Sequence, residues 1–293
     1  MSTLQAASPR HLGALVDLLR SAEGPPTFIA GGTDLLVAPR RLPEEGLLID
    51  LSGVEDLANV EARGGALRIG GATTIDALTR HPLILSHLPA LAQAAALCGS
   101  AQIRNRATIG GNVATASPAS DLTPVLKCFR AGFVLLSGQG EWRVEFGALL
   151  PEVGGARLGP GELIAEIEIP LEGRLGCSAF VKLGARDDVT IARLNLTIEA
   201  EFDPNSFQLG DIRLVVGALA PAPLRLSAVE QTLRGRVLDA TTIRSFVAAL
   251  LASADAAIPG RASHRYKRRA LVGLALDLLQ KLTGRDFFEE AWS

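Results

Sequence analysis

Along residues 192–202 the apolar side chains Ala192, Leu194, Leu196, Ile198, Ala200 and Phe202 alternate with Arg193, Asn195, Thr197, Glu199 and Glu201. That strict period of two predicts an antiparallel strand with one face buried and the other in water. Residues 180–183 and 212–219 read as its neighbours, and 226–233, 242–251 and 263–282 as helices, so the C-terminal part is a small sheet followed by helices, of α+β type. Nearer the N-terminus the apolar runs are short and cut by glycine. Residues 27–30 read as a strand stopped by Gly31-Gly32, 47–51 as a second strand, and 66–69 as a third, stopped by Gly70-Gly71. Thr73, with Asp76 three residues on, predicts the cap of a helix running through Leu78. Residues 88–97 and 121–131 read as helices, the second with Pro124 near its start, where proline is tolerated. Strands are expected over 132–137, 141–146 and 163–169. The polar, glycine-containing stretch 172–176 marks the boundary between two units, 1–175 and 176–293.

Between the two N-terminal helices lies the least regular stretch, residues 108–121. It contains no Lys, Arg or Glu and is built from small residues with hydroxyls, a composition that lets backbone approach something closely. Composition narrows the function classes. The 293 residues are 48% hydrophobic and 20% charged with a formal charge of -2, which disfavours an electrostatic binder of nucleic acid or of membrane surfaces. No run of membrane-spanning length occurs and residues 1–10 lack the apolar core of a signal peptide, so a cytoplasmic chain is expected. Cys98, Cys128 and Cys177 have none of the paired spacings that hold zinc or an iron–sulfur cluster, and the four histidines are scattered, so no metal site is expected.

The chemistry must then sit in the glycine turns. Gly31-Gly32-Thr33-Asp34 and Thr108-Ile109-Gly110-Gly111-Asn112 each combine absent side chains with hydroxyl and amide groups, so that backbone N–H groups can converge on phosphate oxygens. A glycine pair serves hairpins and strand ends equally well. No G-x-G-x-x-G follows a strand and no P-loop, G-x-S-x-G or H-E-x-x-H occurs, which points to a ligand that carries its own reactivity. Asp121 reads either as a helix cap or as a carboxylate accepting hydrogen bonds from sugar hydroxyls, with Ser117 and Ser120 able to share the capping. Arg261, Arg265, Lys267, Arg268 and Arg269 around Tyr266 read as a solvated helix face, with partner docking as the second reading.

Ala30-Gly31-Gly32-Thr33-Asp34-Leu35-Leu36, Gln102-Ile103-Arg104-Asn105 running into Ala107-Thr108-Ile109-Gly110-Gly111-Asn112, and Ala116-Ser117-Pro118-Ala119-Ser120-Asp121 closely resemble the FAD-binding medium subunit of the molybdenum hydroxylases, the xanthine and carbon monoxide dehydrogenase type. The resemblance continues through Glu162-Leu163-Ile164, Ala179-Phe180-Val181-Lys182 and Ser263-His264-Arg265-Tyr266-Lys267-Arg268-Arg269, and so covers nearly the whole chain. It implies an α+β fold: a two-lobed PCMH-type FAD-binding domain over 1–175, then a C-terminal domain of CO dehydrogenase flavoprotein type over 176–293. It also implies that Ala30, Gly31, Gly32, Thr33, Asp34 and Leu35 lay backbone amides on the FAD pyrophosphate. Thr108, Ile109, Gly110, Gly111 and Asn112 would support the flavin-side phosphate and ribityl chain. Ser117 belongs to the cofactor set, Asp121 would bond the sugar part, Ile164 would line the cofactor and Lys182 would lie near the flavin. The implied partners are a small subunit with two [2Fe-2S] clusters and a large molybdopterin subunit, with electrons passing through FAD to NAD or another acceptor. Two other readings remain: a free-standing FAD oxidoreductase of the same flavin fold, and a non-catalytic FAD-binding assembly module. Relatives often carry Asp-Ile-Ala where this chain has Thr190-Ile191-Ala192, and animal members place an aromatic near the position of Cys98.

Overall fold

The computed structural model describes residues 3–37, 42–153, 155–186 and 189–289; of the N-terminal stretch read above, Met1 and Ser2 lie outside these. The chain divides into two compact units that interleave in sequence. The first takes the described residues of Met1–Leu83, Ser100–Ser117 and Arg130–Glu172, and the second those of Ile84–Gly99, Pro118–Phe129 and Gly173–Ser293.

The first unit holds two sheets. β1 (Leu4–Ala7), β2 (Thr27–Ile29) and β3 (Gly46–Asp50) form a parallel sheet in the order β1-β3-β2, with Leu15 and Leu19 of the Leu12–Ser21 helix buried in the same cluster as Ile49. β4 (Val60–Arg63), β5 (Ala66–Gly70), β6 (Gly132–Ser137), β7 (Gly140–Glu145) and β8 (Leu163–Pro170) form an antiparallel sheet in the order β4-β5-β8-β6-β7. The wet face of this second sheet is laced by Arg68 to Glu166 and Glu168, and by Arg143 to Glu168.

Two local expectations change. The helix after the Gly70-Gly71 stop is Ile75–Arg80 and its cap is Thr74, whose hydroxyl accepts from Ala77 N–H; the Thr73 hydroxyl instead donates to the Asn59 carbonyl. The stretch 108–121 is not irregular throughout, because Ile109–Thr115 is a helix. Glycine is a poor helix former, but Thr108 caps this helix through its hydroxyl and the Gly110 N–H bonds the Gly71 carbonyl at 2.9 Å, so tertiary contacts override propensity.

In the second unit β9 (Cys177–Leu183), β10 (Leu194–Asp203), β11 (Gln208–Gly217) and β12 (Leu224–Arg225) form an antiparallel sheet in the order β12-β11-β10-β9. One face carries Leu194, Leu196, Ile198 and Ala200 into a core shared with the Ser227–Leu233, Ala240–Ala257 and His264–Thr283 helices. The expectation of a wet opposite face fails. Every residue from Leu194 to Ala200 is buried, and Asn195, Thr197 and Glu199 are 0% exposed. The Pro89–Ala96 helix packs on β9 and the Leu122–Cys128 helix on β10 and β11, so the sheet lies between two helix layers and its polar face is enclosed.

That enclosure is tolerable because its charged groups are paired, although the Thr197 hydroxyl and Asn195 Oδ1 meet no partner among the described residues. Glu199 takes Arg174 Nε at 2.7 Å on one oxygen and Arg213 at 2.5 Å on the other, and the Arg174 guanidinium stacks 3.9 Å from the Phe129 ring centroid. Glu230, 1% exposed, accepts from Leu214 N–H and pairs with Arg225. Burial pushes the Cys128 thiol well above its ordinary range, with Glu199 adding to the shift.

Candidate functional site

The first glycine turn leaves β2 at Ile29. Gly32 has φ +70°, in the left-handed region where glycine costs least, and the turn closes through the Leu36 N–H to Gly32 carbonyl bond. Gly31 answers a different need: a Cβ there would lie 2.0 Å from the Arg106 carbonyl oxygen, so only glycine lets this turn pack on the backbone that leads into the second. The two turns therefore adjoin, and the Thr115 hydroxyl also donates to Asp34 Oδ2 at 3.2 Å. Gly71 and Gly110 are required in the same way, since their Cβ atoms would come within 2.0 Å of the Ile164 carbonyl and 2.6 Å of the Gly71 carbonyl, respectively. Ile164 is buried on β8 beneath this stack.

Their backbone amides differ. In the second turn the N–H of Ile109 bonds Thr73 O, that of Gly110 bonds Gly71 O, that of Gly111 the Thr108 hydroxyl, and that of Asn112 the Thr108 carbonyl. All four serve the protein itself, which leaves the exposed surface of Gly111 as what the backbone of this turn can offer a ligand. In the first turn the N–H groups of Gly31, Gly32, Thr33 and Leu35 meet no acceptor among the described residues. Unpaired N–H groups gathered in one bend make an anion cradle that needs no cationic side chain.

The second unit holds Asp121 and Lys182. Asp121 opens the Leu122–Cys128 helix without capping it; the Ser120 hydroxyl accepts from the N–H groups of Leu122 and Thr123 instead. Its carboxylate is taken by Lys182 Nζ at 2.6 Å and faces Asn195 Nδ2 at 3.4 Å. Burial raises its pKa to about 6, outweighing the attraction and the hydrogen bond of Lys182. Lys182 is not a water-facing strand residue, because its side chain is 4% exposed and it also donates to the Leu97 carbonyl at 2.9 Å. It lines a cavity of about 300 Å³ with Leu97, Gly184, Ala185, Arg186 and Thr190. A larger cavity of about 830 Å³ in the same unit includes Lys267, Arg261 and Tyr266 of the basic cluster, while Arg268 pairs with Asp255. Residue patterns missed Gly71 and Asn195. Gly71 could be seen only as a strand stop, and Asn195 was one polar position in an alternation.

Among the described residues no group of three or more His, Cys, Asp or Glu side chains converges as metal ligands do, and no helix is long and apolar enough to cross a membrane.

A turn whose amides meet no acceptor among the described residues, with a flanking small-residue helix, suits a diphosphate-bearing cofactor, and comparison with known proteins agrees. Residues 2–172 match the model of the FAD binding domain in molybdopterin dehydrogenase, and residues 179–282 that of the CO dehydrogenase flavoprotein C-terminal domain. The chain belongs to this family of FAD-binding medium subunits of molybdenum hydroxylases, and its cofactor is FAD. It is 28% identical to the nicotinate dehydrogenase FAD-subunit of Eubacterium barkeri, over 97% of this chain and 99% of that one. It is also similar to carbon monoxide dehydrogenase from Hydrogenophaga pseudoflava, with a TM-score of 0.80 and 25% identity over 97% of this chain and 98% of that chain. Quinoline 2-oxidoreductase from Pseudomonas putida 86 shares the fold, with a TM-score of 0.82 at 21% identity and 97% coverage of both chains. Rat aldehyde oxidase 4 is 30% identical over 47% of this chain, which spans 10% of that protein's length. The match to the glyceraldehyde dehydrogenase medium chain of Sulfolobus acidocaldarius covers 64% of that chain.

Proposed function

We propose that this chain is the electron-transfer subunit of a three-component molybdenum hydroxylase in the cytoplasm. Electrons would arrive from the [2Fe-2S] clusters of a small partner subunit, having left a molybdopterin centre on a large one, and would pass on to NAD or another acceptor. Bound FAD supplies the capacity to exchange electrons singly or in pairs. The chain's own residues hold and polarise it. In this reading residues 1–175 form the FAD-binding PCMH-type domain and 176–293 the C-terminal domain. The N–H groups of the turn from Ala30 to Leu35 take the diphosphate. Thr108, Gly111 and Asn112 flank it with Ser117, the packed Ile109, Gly110 and Ile164 support them from below, and Lys182 with Asp121 serves the ring and sugar side.

The observation that carries this reading is the set of four first-turn N–H groups without an acceptor among the described residues, in a chain whose family binds FAD. The near-complete two-way match to a nicotinate dehydrogenase FAD-subunit supports a subunit over a free-standing oxidoreductase. Residues 27–36 also contain no His or Cys to tether a flavin. The test pairs a variant with a spectrum. Gly111→Glu places a carboxylate at an exposed helix position, where an added Cβ would meet only the Thr108 hydroxyl. Like-charge contact with phosphate should cut FAD retention about tenfold or more; normal flavin content would refute the placement. Reduction of the bound flavin by an organic substrate, with no partner subunit present, would overturn the subunit reading.

A further inference from the structure

We propose that Thr115 is a positioning residue for the cofactor site. Its hydroxyl holds the Asp34 carboxylate at the end of the Ile109–Thr115 helix, so that the first turn meets the diphosphate with its N–H groups and not with a competing negative charge. This rests on the reading above that the turn from Ala30 to Leu35 takes the diphosphate.

That turn carries an electrostatic conflict. Gly31, Gly32, Thr33 and Leu35 present N–H groups with no acceptor among the described residues, which favours an anion. Asp34 stands among them and is itself an exposed acid. Like charges a few ångströms apart repel strongly wherever a bound ligand has displaced the water between them. A short carboxylate side chain is kept from such a ligand by a bond that directs it elsewhere, and the structure holds one: Asp34 Oδ2 accepts the Thr115 hydroxyl at 3.2 Å, across 81 residues of sequence. Both residues belong to the first unit.

Thr115 departs from what helical hydroxyls do elsewhere in the chain. A serine or threonine in a helix commonly returns its proton to the carbonyl one turn back, as Ser245 does to Thr241, Ser253 to Ala249 and Thr283 to Leu279. Thr115 gives its proton to Asp34 instead. The helix end that carries it is fixed. Ala116, the next residue, is left-handed at φ 48°, unfavourable for a residue with a Cβ, and its N–H returns to the Val113 carbonyl. Such backbone persists where its surroundings over-determine it. The two glycine turns are thus joined twice, through backbone where Gly31 packs on the Arg106 carbonyl and through side chains at Asp34 and Thr115. Only the second junction disposes of a charge. An exposed bond between hydroxyl and carboxylate contributes little to stability because water competes for both groups, so its weight falls on where the carboxylate points.

The test measures dissociation constants of the flavin-depleted full chain for FAD and for riboflavin, which lacks the phosphates, at low and high salt. Thr115→Val keeps the shape and removes the donor. It should weaken FAD about fivefold at low salt and less at high salt, where the repulsion is screened, and leave riboflavin unchanged. Asp34→Asn keeps the backbone N–H and removes the charge; it should bind FAD about twofold more tightly and abolish the effect of adding Thr115→Val. Unchanged FAD affinity in Thr115→Val would mean that the carboxylate needs no holding. A loss that is independent of salt and shared by riboflavin would make Thr115 merely structural, and loss of FAD in Asp34→Asn would make the carboxylate itself a ligand. Each of these overturns the inference. Thr115→Ala is the second variant should the valine form not fold, and Thr115→Ser, which retains the hydroxyl, should bind FAD like the wild type; failure of the serine form to do so also overturns the role of the hydroxyl. Gly111→Glu separates the two levels. Normal FAD binding in both Gly111→Glu and Thr115→Val would remove the diphosphate from the glycine turns, whereas lost binding in Gly111→Glu with Thr115→Val inert would overturn the role of Thr115 alone.

Discussion

The first unit places Gly31, Gly71 and Gly110 where backbone must touch backbone, with prospective Cβ positions 2.0, 2.0 and 2.6 Å from carbonyl oxygens. The second unit places Glu199, Asn195 and Thr197 where a sheet face meets helices, each 0% exposed. One brings polar groups close by deleting side chains; the other encloses long side chains and neutralises them against one another. The difference fixes how each unit fails. A side chain added to the first is a steric error that the surrounding backbone cannot absorb, because interiors are close-packed. A side chain shortened in the second leaves a charge without its partner in a poorly solvating interior, which is the costlier fault.

The sharpest way to break the contrast is Glu199→Ala. It removes the carboxylate partner of Arg174 and Arg213, whose side chains are 13% and 12% exposed, and should destabilise the second unit by about 3–5 kcal/mol. Denaturant unfolding checks this, and a loss below about 1 kcal/mol, the range of exposed pairs, would mean that water reaches the cluster. Next in size is Gly31→Ala, where the added methyl meets the Arg106 carbonyl and should cost about 1–3 kcal/mol by overpacking, together with reduced FAD retention. Wild-type stability in that variant would show the turn free to move away and the backbone contact unnecessary.

A third effect sharpens the comparison through pH. Asp121 has its pKa raised by burial to about 6 from an ordinary 3.8, so the native state binds this proton more tightly than the unfolded chain does. Its stability contribution is therefore fully present below about pH 4 and is lost as pH rises through about 6. The melting temperature of the apoprotein should fall across that window relative to Asp121→Asn, which has no proton to lose. A parallel profile for the two proteins would place Asp121 in a better solvated setting than its burial indicates.

How much of this was legible beforehand differs by level. β2 and β5 were readable from apolar runs stopped by glycine at Gly31-Gly32 and Gly70-Gly71, β10 from its alternation and the three C-terminal helices from their apolar periodicity, whereas β1, β4 and β12 were not read. The Ile109–Thr115 helix was not readable, since two glycines and a threonine in seven residues argue against a helix unless something outside it supplies the contacts. Whether Asp121 or Ser120 caps the helix was left open because Asp and Ser are both good caps, and only the Lys182 contact withdraws the aspartate from that role.

By itself the amino-acid order determined most of the element types, the two glycine turns, the absence of familiar nucleotide and hydrolase signatures, and the resemblance that points to FAD. These follow from local preferences and motif spacing, which each residue carries wherever it sits. The tertiary structure decided which of the two turns has N–H groups to spare and that the polar face of β10 is enclosed. It also decided that Lys182, Asp121 and Asn195 meet although Lys182 and Asp121 lie 61 residues apart. Those outcomes depend on which surfaces cover which. Burial sets whether an alternating polar residue is a solvent contact or a paired internal charge, and nothing in its immediate neighbours distinguishes the two.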